Sequence, residues 1–273
     1  MDVKNHNTNR KKRVVRKRWN AAVLIALFVG ILLTVFQYLG FVSKTVYEES
    51  VSHLTEVFHQ SNNVLNELTN KNLTYLHMWS EYLQNTSSES KIRDYVKKAQ
   101  NEAGFLYFYF LSADGNYKMV TGETGYLGVQ ENLEDEIRQG KDIITNAVVP
   151  GKPQMLVFAS PQSHGSYQGF EYDAIAIAYE NADIVDVLDI SAFNGNAKSY
   201  VVHPDGRVVI DHSFEAWGTV YNFFGVLREH SNISEKEILE LSEKFKERRT
   251  DTMLVNLDGR NYYLVYEKSD IQD

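Results

Sequence analysis

"SYVVHPDGRVVID", residues 199–211, is two short apolar runs folded about Asp205-Gly206, and "YFYFLSADGNYKMV", residues 107–120, repeats the arrangement about Asp114-Gly115. In both, β-favouring residues flank the turn, and the glycine is free to take the positive φ that a tight hairpin requires. Two hairpins of one design predict a duplicated module. At 273 residues and 43% hydrophobic, the chain is long and apolar enough to bury one large core or two small ones. It contains no cysteine, which excludes disulfides, thiolate zinc sites and cysteine nucleophiles.

The first hairpin follows a polar break, "QNTSSESK", and a short helix, "IRDYVKKAQNEA". After it come "TGETGYLG", a helical "NLEDEIRQ" ended by Gly140, and three strand candidates, "DIITNAVV", "QMLVFAS" and "DAIAIAYE". The turn "PGKP" and the glycine-rich "QSHGSYQG" separate these strands. The expectation is a five-stranded antiparallel sheet with helices on one side, an α+β unit over 85–191. A short helix "NADIVDVLDI" and a loop "SAFNGN" lead to the second hairpin and the helices "VYNFFGVLREHS" and "SEKEILELSEKFKERR". Ser234 and Glu237 have capping-box spacing, and Glu240-Lys244 is spaced for an i,i+4 ion pair. Two strands joined at Asp258-Gly259, "DTMLVNL" and "RNYYLVYE", complete a second module over 192–273. It has one strand fewer than the first, so a last strand is expected just after Asp273, the alternative being a natural four-stranded module.

The N-terminal charge is lopsided. Residues 1–43 hold eight Lys or Arg and one acid; removing them from the totals of 28 and 36 leaves 20 basic and 35 acidic residues, a balance of −15 over 44–273. Such a surface repels nucleic acid. "WNAAVLIALFVGILLTVFQYLGFV" (19–42) carries no charge, and about 20 apolar residues cross roughly 30 Å of hydrocarbon. The sequence thus predicts a basic cytoplasmic tail (1–18), a membrane helix (19–43) and an exterior remainder. A cleaved signal peptide is the competing reading, but "QYLGFVSKTV" offers no A-x-A-like site. Over 44–84, Tyr47, Val51, Leu54, Phe58, Ser61, Leu65, Leu68, Asn72, Tyr75, Trp79 and Tyr82 recur in steps of four and three. They predict a spine helix reaching more than about 50 Å. Its seam faces either its own domain or a second copy in a homodimer.

Strand alternation places Phe105, Tyr107, Tyr109 and Leu111 on one face of the first hairpin, with Leu106, Phe108 and Phe110 on the other. The tyrosine face is the candidate small-molecule site, with Tyr107 and Tyr109 joined by Phe158 and Ser160 from "QMLVFAS" and by Tyr172 and Asp173 from the next strand. The alternative for each is a half-buried sheet residue or a carboxylate ending a loop. His203 and His212 lie close to Asp205 and Asp211 but match no zinc spacing, and G-x-S-x-G, phosphate-loop and dinucleotide fingerprints are absent. No cofactor, metal or catalytic residue is predicted.

The order of basic flank, anchor, long helix and two hairpin-led modules resembles the double Cache (PAS-like) sensor domain of bacterial transmembrane receptors. "DAIAIAYENADIVDVLDISAFNGNAKSYVVHPDGRVVIDHS" is similar to the inter-module stretch of Cache sensors in membrane-bound GGDEF diguanylate cyclases. The resemblance implies a ligand in the membrane-distal module and a cytoplasmic output domain, a diguanylate cyclase or histidine kinase. Amino-acid-binding members use an arginine there, whereas the only arginines between 90 and 200 are Arg93 and Arg138, both in helical stretches; an amino-acid ligand is not predicted. The rival function is a membrane-anchored interaction or envelope-assembly protein without a small-molecule ligand.

Overall fold

The computed structural model describes residues 3–86, 88–129, 133–149, 152–188, 198–212, 217–218 and 220–269, with side chains from residue 24 onward except at 129, 186–188 and 212. The loop "SAFNGN", the Pro150-Gly151 part of "PGKP" and the side chains of the basic tail lie outside these residues. The chain divides into two compact units, Met1–His53 and Leu54–Asp273. The described residues of the first unit belong to helix α1 (Val3–Gln84). From Leu24 onward that helix includes a stretch long and apolar enough to cross a membrane, and none of it is buried in the protein. It is a candidate membrane span by length and composition.

In the second unit α1 packs through Leu65, Thr69, Asn72, Leu76 and Trp79, all buried. This stripe keeps the expected four-three rhythm but turns onto Thr69 and Leu76 where Leu68 and Tyr75 were expected; those two pack at its margin. Helix α2 (Glu89–Ala103) ends at Gly104, whose φ of 79° provides the left-handed cap.

The first module is a seven-stranded antiparallel sheet in the order β3-β2-β1-β7-β6-β5-β4. Its strands are β1 (Tyr107–Leu111), β2 (Asn116–Met119), β3 (Thr124–Tyr126), β4 (Gly128–Val129), β5 (Ile143–Val148), β6 (Met155–Tyr167) and β7 (Phe170–Glu180). The five expected strands are present. Two short edge strands, β3 and β4, form in "TGETGYLG" and the Val129 that follows it, a stretch that alternates too briefly to signal them. "QSHGSYQG" proves mostly strand: β6 continues through it to Tyr167 and turns at Gln168-Gly169, where φ is 50° and 72°. Two successive positive φ values are the type I′ geometry that suits the twist of a hairpin.

Helices lie on both faces of this sheet, which corrects the one-sided expectation. α1 and α2 cover Phe108, Phe110, Phe158, Ile175, Ile177 and Tyr179. Helix α3 (Leu133–Arg138) sets Leu133 and Ile137 against the opposite face with Tyr109, Leu111, Met155 and Val157. Both faces are therefore dry, and β7 alternates bulky Ile175 and Ile177 toward α1 with small Ala174, Ala176 and Ala178 toward α3.

In the second module β8 (Ser199–Val202) pairs with β9 (Val208–His212) and β10 (Asp251–Leu257) with β11 (Arg260–Tyr266). The helices between are α5 (Phe223–His230) and α6 (Glu235–Lys246); α6 opens on the Ser234–Glu237 capping box. Both hairpins bury residues against α5 and α6, yet they form separate two-stranded sheets among the described residues. In the first module β7 lies between β1 and β6; no strand among the described residues takes that place here. Lys244 pairs with Asp251 at 2.6 Å and Glu240 with Lys236 at 3.7 Å, so the expected Glu240-Lys244 pair gives way to these.

The two quoted hairpins share one turn. Ser112 N–H donates to Asn116 O (2.9 Å) and Gly115 N–H to Ser112 O (3.0 Å); His203 and Gly206 make the equivalent bonds at 2.8 Å each. In each turn the aspartate accepts a backbone N–H from two residues on, Asn116 to Asp114 and Arg207 to Asp205. The modules meet where Asn146 Nδ2 donates to Val208 O (2.5 Å) and Asn181 Nδ2 to Asp211 O (2.7 Å), so helix α4 (Asn181–Leu188) and β5 both hold β9.

Candidate ligand site

Register settles which of the sequence-derived site residues meet. Tyr107 pairs with Ala178, and Tyr109 with Ala176, whose partner across β7 is Ala159; these share the face toward α3. Phe158 pairs with Ile177, the partner of Phe108, and Ser160 with Ile175, the partner of Phe110; these share the face toward α1 and α2. Tyr172 also lies there, its ring 4.9 Å from that of Phe110. Gly165 across from Tyr172 has no room for a Cβ beside that ring. Phe158, Ser160 and Tyr172 are thus separated from the tyrosines by the sheet itself, because a strand's side chains alternate and residue number alone did not fix the register. Phe105, just before β1, packs its ring 5.3 Å from Trp79 and likewise belongs to the α1 side.

Asp173 is on neither core. Its Oδ2 accepts the Ala113 N–H at 3.0 Å, and its Oδ1 is 3.2 Å from His164 Nδ1, so it ties the β1–β2 turn to the β6–β7 hairpin. It precedes Ala174, the partner of Leu111, whereas Tyr107 pairs with Ala178: the two lie at opposite ends of β1.

What gathers around Tyr107 and Tyr109 is a different set. The rings of Tyr107 and Tyr109 stack at 5.8 Å, and Tyr117 from β2 leans on Tyr109 at 4.7 Å. The alanines of β7 form the floor that lets these rings lie close to the sheet. Lys152, from the β5–β6 connection, holds its Nζ 4.4 Å from the Tyr107 ring centre and 3.1 Å from Glu123 Oε1. An ammonium over a tyrosine face is attracted by the ring quadrupole. Gly125 leaves space for the Tyr117 hydroxyl, which a Cβ there would meet at 2.6 Å. Burial pushes the Tyr109 and Tyr117 hydroxyls up, with Tyr107 and Glu123 adding to the rise and Lys152 opposing it at Tyr117. Burial alone would lower the Lys152 ammonium; its bond to Glu123 and the adjacent tyrosines reverse that and leave its pKa raised. Lys152, Glu123 and Tyr117 were not anticipated. Tyr117 was accessible, since a hairpin closed at Asp114-Gly115 sets it across from Leu111. Lys152 and Glu123 lie in turns, and no periodicity tells which turns meet.

His164 offers a pH-dependent contact away from this cage. Its Nε2 lies 2.9 Å from Glu171 Oε2 and its Nδ1 faces Asp173. The hydrogen bond to Asp173 first, then the charge of Glu171, raises the imidazole pKa. A group whose pKa is raised on folding stabilises the fold fully below its unfolded pKa, about 6.5, and loses that contribution as pH rises through the folded value. The expected outcome is that H164A lowers the melting temperature at pH 5.5 and leaves it nearly unchanged at pH 8.5. Equal losses at both pH values would show that the ring acts by packing.

No protein-family model matches this sequence, and no curated protein matches it. Solved structures do. The ligand-binding domain of the Pseudomonas aeruginosa amino acid chemoreceptor PctB, in complex with L-Gln, superposes with a TM-score of 0.55 at 12% identity, covering 81% of this chain and 85% of that one. The extracellular domain of the putative histidine kinase mmHK1S-Z3 gives 0.51 at 12% identity, over 81% and 90%. The P. aeruginosa chemoreceptor PctC domain, in complex with GABA, gives 0.50 at 15%, over 78% and 89%. The fold is thus the mixed α+β architecture of sensory ligand-binding domains, a long N-terminal helix followed by curled antiparallel modules. At these identities the likeness is one of fold.

Proposed function

We propose that this chain is the sensor part of a transmembrane receptor and that the first module binds a small molecule on the face bearing Tyr107, Tyr109 and Tyr117. The observation that carries this reading is the Lys152–Glu123 ion pair set on stacked tyrosines over an alanine floor, within a fold shared with sensory domains. Charged and aromatic groups converging on an otherwise apolar sheet face are the usual makings of a ligand site. The excess of Lys and Arg before the apolar part of α1 favours a cytoplasmic N-terminus and an exterior position for both modules. Exposed Val46 and Tyr47 on α1 suit pairing with a second copy. A diguanylate cyclase or histidine kinase output is the corresponding partner inside the cell. The ligand acts by binding one arrangement of the sheet more tightly, and the shift reaches the second module through Asn146–Val208 and Asn181–Asp211.

The test is a thermal-shift screen of small metabolites on the full chain in detergent. A binder is expected to lose at least tenfold in affinity with Tyr107→Ala and to keep its affinity with Asp173→Ala. A binder indifferent to Tyr107→Ala and weakened by Asp173→Ala would move the site to the other end of β1.

A further inference from the structure

A bulge in β6 joins the first sheet to the far end of α1. Pro161 pairs with Ala174 and Gly165 with Tyr172, so Gln162, Ser163 and His164 stand across from the single residue Asp173. A bulge takes side chains out of strict alternation and re-aims them, and each of these three reaches a different partner. Gln162 accepts the Ser80 hydroxyl of α1, Ser163 accepts Gln84 Nε2 of α1 at 3.3 Å, and His164 lies between two carboxylates of β7. We propose that this bulge is a proton sensor: His164 is held as an imidazolium between Glu171 and Asp173, and loss of its proton loosens the bulge and, through Gln162 and Ser163, the end of α1. This input is the pH of the medium and is separate from the ligand of the tyrosine face; with the modules outside the membrane, as read above, that medium is the exterior.

Counting protons decides the state. Nδ1 is 3.2 Å from Asp173 Oδ1 and Nε2 is 2.9 Å from Glu171 Oε2. An imidazolium has an N–H at both positions and satisfies both carboxylates; a neutral imidazole has one, so either tautomer turns a lone pair toward the other carboxylate. The arrangement fits the cation and neither neutral form. Among the described residues, Glu171 and Asp173 are the charged groups that act on the ring. Asp114, in the β1–β2 turn that Asp173 holds, is turned to Ser112 and Asn116, and α1 offers the bulge the uncharged Ser80 and Gln84. The His164 side chain is 67% exposed, so protons of the medium reach it directly. Its raised pKa sets the change above about 6.5: the clasp is closed below that value and opens as pH rises through the folded pKa. On α1, His77 shares the face of Ser80 and Gln84 and meets Asp142 at 3.0 Å, a second imidazole whose effect has to be separated.

Amide hydrogen exchange, read by mass spectrometry on the full chain in detergent, tests this at pH 5.5 and 8.5, with rates corrected for the intrinsic pH dependence of exchange. In the wild type, protection over 162–165 and over 81–86 is expected to fall about threefold or more at the higher pH. H164A should show the low protection at both pH values. E171Q should show the high protection at both, because a neutral imidazole can give its N–H to Asp173 and accept one from the glutamine amide. H77Q should keep the wild-type step. Near-UV circular dichroism establishes that each variant is native. A wild type without the step, a step that survives H164A or disappears in H77Q, or an E171Q protein that keeps the step or sits at the low level overturns the proposal. A step at 162–165 with none at 81–86 overturns the coupling to α1. The measurement reads the bulge whichever side of the membrane it faces and needs no small molecule, so it fails separately from the ligand reading.

Discussion

Trp79→Ala is expected to remove about 3–5 kcal/mol of stability, the range for deleting a large buried aromatic. That is a large part of the roughly 5–15 kcal/mol that holds a typical domain together. Trp79 is 5% exposed and sits where α1 meets the sheet. Its ring lies 5.3 Å from Phe105 and 5.8 Å from Phe108, both edge-on, and stacks on Tyr75 at 5.8 Å. Alanine would leave a void bounded by a helix, a strand and the approach to β1, three elements that cannot collapse together because the sheet fixes two of them. Urea denaturation of the full chain in detergent measures the loss, and Trp79→Phe should recover most of it. If the indole mattered only locally, the loss would be below about 1 kcal/mol. The same contact is a direct mechanical link between the proposed sensing sheet and α1, so Trp79→Ala should also speed trypsin cleavage at exposed Lys71.

Much of this architecture is legible in the sequence, and the limits are physical. The paired hairpins were readable because the Asp-Gly turn is encoded locally: glycine supplies the positive φ and aspartate accepts a nearby N–H, and both turns form the same bonds. The long helix was readable because nothing between 44 and 84 breaks it. Its buried stripe was less so, since Thr69 and Asn72 are polar and a hydrophobic pattern passes over the threonine. Both are buried all the same: Asn72 accepts the Tyr179 hydroxyl at 2.8 Å, while its amide and the Thr69 hydroxyl have no hydrogen-bond partner among the described residues. The site was half legible. Alternation separated Tyr107 and Tyr109 from Phe108 and Phe110 within β1 but placed Phe105, which precedes the strand, on the wrong face, and carrying the tyrosine face onto β6 and β7 requires the inter-strand register, which a one-residue error inverts. Glu123 and Lys152 come together only because two turns remote in sequence close over the same end of β1.

Phe158 is the sharpest test of that inversion. On the tyrosine face it would touch ligand, and alanine there would weaken binding with modest cost to the fold. On the face where it lies, it is wholly buried, meets Tyr179 edge-on at 6.1 Å and sits across from Ile144 and Ile177 on its two neighbouring strands. Tyr179 is itself fixed by its hydroxyl, which donates to Asn72 and whose pKa burial pushes up to about 12. Phe158→Ala therefore opens a cavity at the centre of the sheet beneath α1 and should cost about 3–5 kcal/mol. Tyr107→Phe should cost far less, because Tyr107 is only partly buried and its ring remains under Lys152. Denaturant midpoints of the two variants distinguish the faces: a Phe158→Ala protein as stable as the wild type would place that ring outside the core and return it to the candidate site.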